Sequence, residues 1–173
     1  MKSLVHLLLS RPPSLELDMP WNTEKVKTEL GRRRLPKGLD EVIIHQPHLA
    51  FNALLELLES KNASIYQRVN SLVLVRQLEL VNSVAGHSDR IFLALRQHLS
   101  SSTEAIRKAA AESISTFLFR TTHYRISALE HSEKLELLRE VERSYPPILE
   151  SPFRQLIEEV RKIGEPLDGN LGE

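Results

Sequence analysis

The chain has 173 residues, 41% of them hydrophobic and 27% charged, with 23 basic and 23 acidic side chains and no cysteine. This composition suits one globular domain or one compact repeat array and excludes a disordered, highly charged tail. Without cysteine, disulfides, thiolate zinc sites and thiol nucleophiles are excluded. The charge is uneven: residues 1–126 hold 17 Lys and Arg against 12 Asp and Glu, and residues 127–173 hold 6 against 11.

The N-terminal segment begins with an apolar run over residues 4–9 that is interrupted by His6 and lacks a small-residue cleavage site. It predicts a first helix over residues 2–10 rather than a signal peptide. Three prolines then predict an extended segment over residues 11–21. Because no stretch reaches the ~18–20 apolar residues that a bilayer crossing needs, we expect a protein that does not enter a membrane. The lack of cysteine fits a reducing compartment, so the expected location is the cytoplasm, with the nucleus as the alternative.

A short helix, a loop and a second short helix are predicted next. Asn22 or Thr23 suits the N-cap of a helix that ends near Leu30, where a glycine follows. Residues 31–38, with the sequence GRRRLPKG, predict a loop, and a helix follows near Leu39–His45.

Longer helices are predicted in the centre of the chain, because apolar residues recur there at spacings of three and four. Their expected ranges are 47–60, 64–85, 89–99 and 103–120. Pro47 suits the first turn of a helix, since its missing N–H needs no partner there. Ser101 and Glu104 have the spacing of a capping box. The helix over 64–85 is apolar on nearly all faces, which predicts a central position in a helical stack.

The C-terminal part predicts two further helical regions. Residues 127–145 form one helix or a pair of shorter ones, which Pro146 and Pro147 stop. Ser151 followed by a proline is typical of a helix start and opens a last helix that ends near Ile163. The domain organisation that we expect is an N-terminal capping region, a helical-repeat domain and a flexible tail over residues 1–46, 47–163 and 164–173.

A repeat of 41 residues relates the central helices. When residues 50–73 are moved forward by 41 positions, their apolar residues coincide with those of a second segment without a gap. The coinciding pairs are Phe51 with Phe92, Leu54 with Leu95, Leu58 with Leu99, Ile65 with Ile106, Val69 with Ala110 and Val73 with Ile114. A period near 40 residues with two helices per unit is typical of HEAT and armadillo-like arrays.

The second segment, RIFLALRQHLSSSTEAIRKAAAESIS, resembles a HEAT repeat. It has a leucine-rich first helix, a polar turn, then Ile106-Arg107 and a run of small residues. The resemblance covers residues 50–120 and implies an all-α fold, a short right-handed α-solenoid of stacked antiparallel helix pairs. A non-repetitive helical bundle is the alternative arrangement, and it is all-α as well.

No motif of a catalytic, cofactor or metal site occurs in the sequence. It contains no glycine-rich phosphate loop, no nucleophile elbow and no HExxH zinc motif. His45 and His48 are close in sequence, but Pro47 between them breaks the helical presentation that a metal site would use. We therefore expect no enzymatic activity, no cofactor and no bound metal.

Basic side chains are the candidate partner-binding residues. They form a dense cluster in the predicted loop and recur on the second helix of each repeat. The candidates are Arg32, Arg33, Arg34, Lys37, Arg68 and Arg107. Such residues bind acidic protein groups or phosphates, and the cluster also suits a nuclear localisation patch. The alternatives are a solvated loop and, for Arg107, an ion pair within the array.

Three functions are compatible with these features. The first is a non-catalytic protein–protein interaction module, a scaffold, adaptor or subunit of a larger assembly, because stacked helix pairs present an extended ridged surface. The second is a nucleic-acid-binding HEAT-like protein, disfavoured by the zero net charge and by the lack of aromatic residues beside the arginine cluster. The third is a glycosylase-like or lyase-like enzyme on a HEAT-like array, for which no catalytic position is matched.

Overall fold

A computed structural model describes residues 20–36, 38–76, 88–124 and 129–163. These ranges are helical and contain no strand, which confirms the prediction of an all-α protein for the part of the chain they cover. The predicted helix over residues 2–10, the extended segment over 11–19 and the tail over 164–173 lie outside the described residues.

Eight α-helices occur in the described ranges. They are α1 (Thr23–Leu30), α2 (Leu39–His45), α3 (Pro47–Glu59), α4 (Ile65–Val75), α5 (Ser88–Gln97), α6 (Glu104–His123), α7 (His131–Ser144) and α8 (Phe153–Ile163). Two short 3-10 helices, His98–Ser100 and Pro146–Glu150, follow α5 and α7.

Local signals explain where several of these helices begin. Asn22 is the N-cap of α1, and its Oδ1 accepts a hydrogen bond from the Lys25 N–H at 2.8 Å. Gly38 precedes α2 in the left-handed conformation, with a φ of 97°, which glycine adopts without the steric cost of a side chain. Pro47 occupies the first turn of α3, as predicted. These helix starts depend on interactions within a single turn, which is why the sequence predicts them.

The α4 helix is shorter than predicted. It ends at Val75 with Arg76 as its C-cap, whereas the apolar pattern predicted a helix over 64–85; the part of that range beyond Arg76 lies outside the described residues. Its start has a capping box that the sequence reading missed. Ser64 Oγ accepts from the Gln67 N–H at 3.2 Å, and Gln67 Oε1 accepts from the Ser64 N–H at 2.9 Å.

The predicted capping box at the start of α6 is wrong. Thr103 is the N-cap of α6 and makes no side-chain capping bond. Ser101 Oγ instead accepts a hydrogen bond from the Thr103 N–H at 3.2 Å, which stabilises the turn before the helix. Glu104 is the first residue of α6, two positions before the third helical residue that makes the reciprocal bond of a capping box.

A hydrophobic core runs through all eight helices. Helix α6 lies at its centre, because it packs against α4, α5, α7 and α8. The apolar stripe predicted for α6 is buried: Ile106, Ala110, Ile114 and Phe117 are each at most 3% exposed. The Phe117 ring contacts the Phe92 ring of α5 edge to face, with 5.0 Å between the ring centroids.

Helices α1 and α4 are joined by hydrogen bonds at a constant sequence separation. Gln67 Nε2 donates to the Lys27 carbonyl at 3.0 Å, and Asn70 Nδ2 donates to the Leu30 carbonyl at 2.8 Å, each across 40 residues. Because both partner numbers rise together, α1 and α4 run in the same direction.

The same arrangement joins α4 to α6. Ser113 Oγ lies 2.5 Å from the Leu72 carbonyl, 41 residues earlier, and within 2.6 Å of the Ala109 carbonyl of its own helix. Further along, the Arg120 guanidinium donates to the Arg76 carbonyl, 44 residues earlier. Helices α1, α4 and α6 therefore run in one direction, each about 40 residues after the last.

Candidate functional site

The basic loop, residues 31–38, joins α1 to α2. Its first residues are held by α4, because Asn70 Nδ2 donates to the carbonyls of Leu30 and Arg32 at 2.8 and 3.0 Å. These bonds fix the backbone from which the arginine side chains project.

The three arginines of the basic loop are exposed but differ in their partners. Arg32 Nε lies 2.8 Å from Glu29 Oε2 in the last turn of α1. Arg33 and Arg34 form no ion pair with any residue that the structure describes, and Lys37 lies outside the described residues. Within residues 31–36, the uncompensated positive charge therefore resides on Arg33 and Arg34.

Arg68 and Arg107 stabilise turns of the protein itself. Arg68 Nη2 donates to the Lys61 carbonyl at 2.8 Å. Arg107 Nη1 donates to the carbonyls of Ser101 and Ser102 at 2.7 and 3.1 Å. In each case a guanidinium near the start of a helix binds carbonyls of the turn that precedes the helix. No contact among the described residues joins either side chain to the basic loop.

A polar junction joins α4, α6 and α8. Arg76 Nη1 lies 2.9 Å from Glu112 Oε2, and these side chains are 17% and 14% exposed. The Arg76 guanidinium also lies over the Phe153 ring, 5.5 Å from its centroid, and the Arg76 carbonyl accepts from Arg120. The sequence analysis missed this junction because it placed Arg76 inside the predicted helix over 64–85.

His98 is buried between α3 and the end of α5, with 7% of its surface exposed. Burial lowers its pKa below the ordinary histidine value; the nearby Arg68 charge acts in the same direction, and a bond to the Leu58 carbonyl acts against it. Its Nε2 lies 3.0 Å from that carbonyl. A neutral imidazole that donates from Nε2 fits these surroundings, which makes His98 a structural link between the two helices.

His45 and His48 lie three positions apart, on either side of Pro47. His45 ends α2, His48 lies in the first turn of α3, and both are exposed. Across the residues that the structure describes, no three metal-ligating side chains come together. In the same ranges no helix is both long and apolar enough to cross a membrane.

In the part of the chain that the structure describes, the fold is all-helical, and α1, α4 and α6 are joined by hydrogen bonds at a separation of 40 to 44 residues. Comparisons with protein-family models, with curated proteins and with solved structures return no match.

Proposed function

We propose that this chain is a non-catalytic protein–protein interaction module, built as a short HEAT-like α-solenoid, that binds an acidic partner through the basic loop. The proposal rests on the difference between the backbone and the side chains of that loop. Its backbone is fixed to α4 by Asn70, whereas Arg33 and Arg34 are exposed and form no ion pair with a described residue.

The recurring separation of the helices supports the solenoid. Hydrogen bonds join α1 to α4 across 40 residues and α4 to α6 across 41 and 44 residues. Consecutive helices also pack against each other, α3 on α4 and α5 on α6. An array in which each unit packs on its neighbours presents a long exposed face, and repeat proteins use such faces to bind their partners.

The chemistry of the basic loop supports an acidic partner. Guanidinium groups present donors in a planar fork that matches the geometry of a carboxylate. Because the Asn70 bonds already fix the loop backbone, binding would order little besides the two side chains, and this lowers the entropic cost of association. Arg68 and Arg107 bind turn carbonyls of the protein itself. This favours a partner contact confined to the basic loop over one that extends along a strip of basic residues.

The test compares Arg33→Ala/Arg34→Ala with a matched control, Arg139→Ala/Arg143→Ala, which removes two exposed arginines from α7. The probes are a fluorescent Glu-rich peptide, a random-sequence DNA duplex and a random-sequence single-stranded RNA. We expect the peptide to bind the wild type and the control, to bind the loop variant about tenfold more weakly, and to lose affinity with added salt.

The nucleic-acid probes separate the two leading functions. Micromolar binding of DNA or RNA that the loop variant abolishes, with no binding of the peptide, would replace the proposal with nucleic-acid recognition. Equal affinity of the peptide for all three proteins would show that the basic loop is a solvated surface.

A further inference from the structure

A groove of about 240 Å³ opens between α5 and the start of α7. Its apolar lining consists of Phe92, Leu93, Leu129 and Leu137. Leu93 has 61% of its surface exposed, so a large apolar side chain meets solvent at this groove. The volume is below the ~300–1,000 Å³ typical of small-molecule pockets. It suits one or two side chains of a partner better than a cofactor.

The rim of the groove is acidic. Asp89 in the first turn of α5, and Glu133 and Glu136 on α7, are all exposed. The basic rim residue Arg96 donates from Nε to Glu140 Oε2 at 2.7 Å, so its charge is compensated within the protein. Counted over the described lining residues, the rim therefore keeps a negative charge, which attracts a cationic partner.

An exposed ion pair joins α3 to α5. Arg90 binds the Glu59 carboxylate there through Nε and Nη2, at 2.8 and 2.7 Å. Between α5 and α7 the corresponding ion pair, Arg96 with Glu140, lies at one end of the groove. Among the described residues, nothing covers Leu93.

We propose that this groove docks a short amphipathic segment of a partner protein, one that carries a leucine-like side chain flanked by lysine or arginine. The apolar side chain would pack on Leu93 and Phe92. The flanking cations would pair with the acidic rim, Asp89 and Glu136 in particular. This surface differs from the basic loop in position and in sign, so the inference does not rest on the proposed function and can fail separately from it.

The experiment uses the full chain and three synthetic peptides of about 12 residues, roughly three helical turns. One carries leucine and lysine at helical spacing, one replaces its lysines with glutamate, and one replaces its leucines with serine. Fluorescence anisotropy should show the leucine–lysine peptide binding at least about tenfold more tightly than either of the others. In ¹⁵N-labelled protein, its addition should shift the amide signals of Leu93, Glu136 and their neighbours.

Two single variants test the apolar floor and the acidic rim separately. Leu93→Ser and Glu136→Lys should each weaken the leucine–lysine peptide about tenfold, with thermal melts showing that both variants are folded. The control Glu41→Lys/Glu104→Lys changes exposed carboxylates outside the groove and should leave the affinity unchanged.

Three outcomes would overturn the inference. Equal affinity of the serine–lysine peptide would mean a general electrostatic attraction without the apolar groove. Affinities of both single variants within about twofold of the wild type would place the binding elsewhere. The third outcome is a concentration-dependent dimer of the wild type. If either Glu136→Lys or Arg33→Ala/Arg34→Ala dissociated this dimer, the occupant of the groove would be the basic loop of a second copy.

Discussion

At the scale of single residues, Phe117 has the largest expected effect on stability. It is 3% exposed in the centre of α6, and its ring packs edge to face on Phe92. Phe117→Ala should lower the free energy of unfolding by about 3–5 kcal/mol, because it removes a buried ring and leaves a cavity in a packed core. Urea denaturation monitored by circular dichroism measures this change.

Phe119 provides the matched control for that substitution. It lies two residues further along α6, is half-buried, and stacks on His123 with 5.7 Å between the ring centroids. Phe119→Ala should destabilise the protein clearly less than Phe117→Ala. Equal losses for the two variants would mean that the burial assigned to the faces of α6 is incorrect.

His98 makes stability depend on pH. Unfolded histidine takes up a proton near pH 6.5, whereas burial lowers the pKa of folded His98 below that value. Between the two pKa values the unfolded chain binds more protons, so the free energy of unfolding falls as the pH falls. The contribution of His98 is thus fully present above about pH 6.5 and is lost as the pH drops through the folded-state pKa.

Urea titrations at several pH values between neutral and mildly acidic conditions test this dependence. His98→Gln keeps an amide that can donate to the Leu58 carbonyl but does not titrate, so its stability should fall less steeply with acidification. His48→Gln changes an exposed histidine and serves as the control. A His98→Gln profile parallel to that of the wild type would assign the acid sensitivity to other groups.

At the scale of helices, the N-terminal cap of α4 is a local interaction whose contribution to stability can be measured. Ser64 and Gln67 exchange both capping-box hydrogen bonds, and Gln67 also donates to the Lys27 carbonyl of α1. Ser64→Ala should destabilise the protein by about 1 kcal/mol, the usual loss for an N-cap. Thr103→Ala at the N-cap of α6 should be milder, because Thr103 makes no capping bond; the difference in urea midpoints measures the effect.

The helix starts also show how much of the fold follows from sequence. Asn22 and Pro47 act within one turn: Pro47 was predicted in the first turn of its helix, and Asn22 was one of two N-cap residues predicted for α1, with Thr23 as the other. The end of α4 at Val75 was not predicted, because the apolar pattern continues beyond that residue in the sequence. Local chemistry therefore predicts some helix starts, whereas the apolar pattern does not show where α4 ends.

Some features of the candidate sites can be predicted from the sequence, and others become visible only in the structure. The arginine run that suggested the basic loop is visible in the sequence, but only the fold distinguishes Arg32, beside Glu29, from Arg33 and Arg34. Arg68 and Arg107 bind backbone carbonyls of turns, and the pattern of side chains in a sequence does not predict such bonds. The α5–α7 groove was missed because Leu93 and Glu136 are far apart in sequence and neither belongs to a motif.

At the scale of the whole molecule, the solenoid hypothesis makes a claim about direction. Helices α1, α4 and α6 run the same way, and a regular array requires α8, which packs on α6, to continue that direction. The start of α8 lies near the middle of α6, because Phe153 packs on the Arg76 guanidinium that pairs with Glu112. A parallel α8 would then end near His123, and an antiparallel one near the start of α6.

Distances between spin labels distinguish these two directions, and the cysteine-free sequence allows labels to be placed by single introduced cysteines. Lys108, His123 and Lys162 are exposed, and about 22 Å of helix separates the first two. Pulsed EPR should give a shorter distance for the pair at His123 and Lys162 than for the pair at Lys108 and Lys162. The pair at Lys108 and His123 calibrates the scale within one helix. The reverse order would mean that α8 runs against α6, and the chain would then be a helical bundle instead of a solenoid.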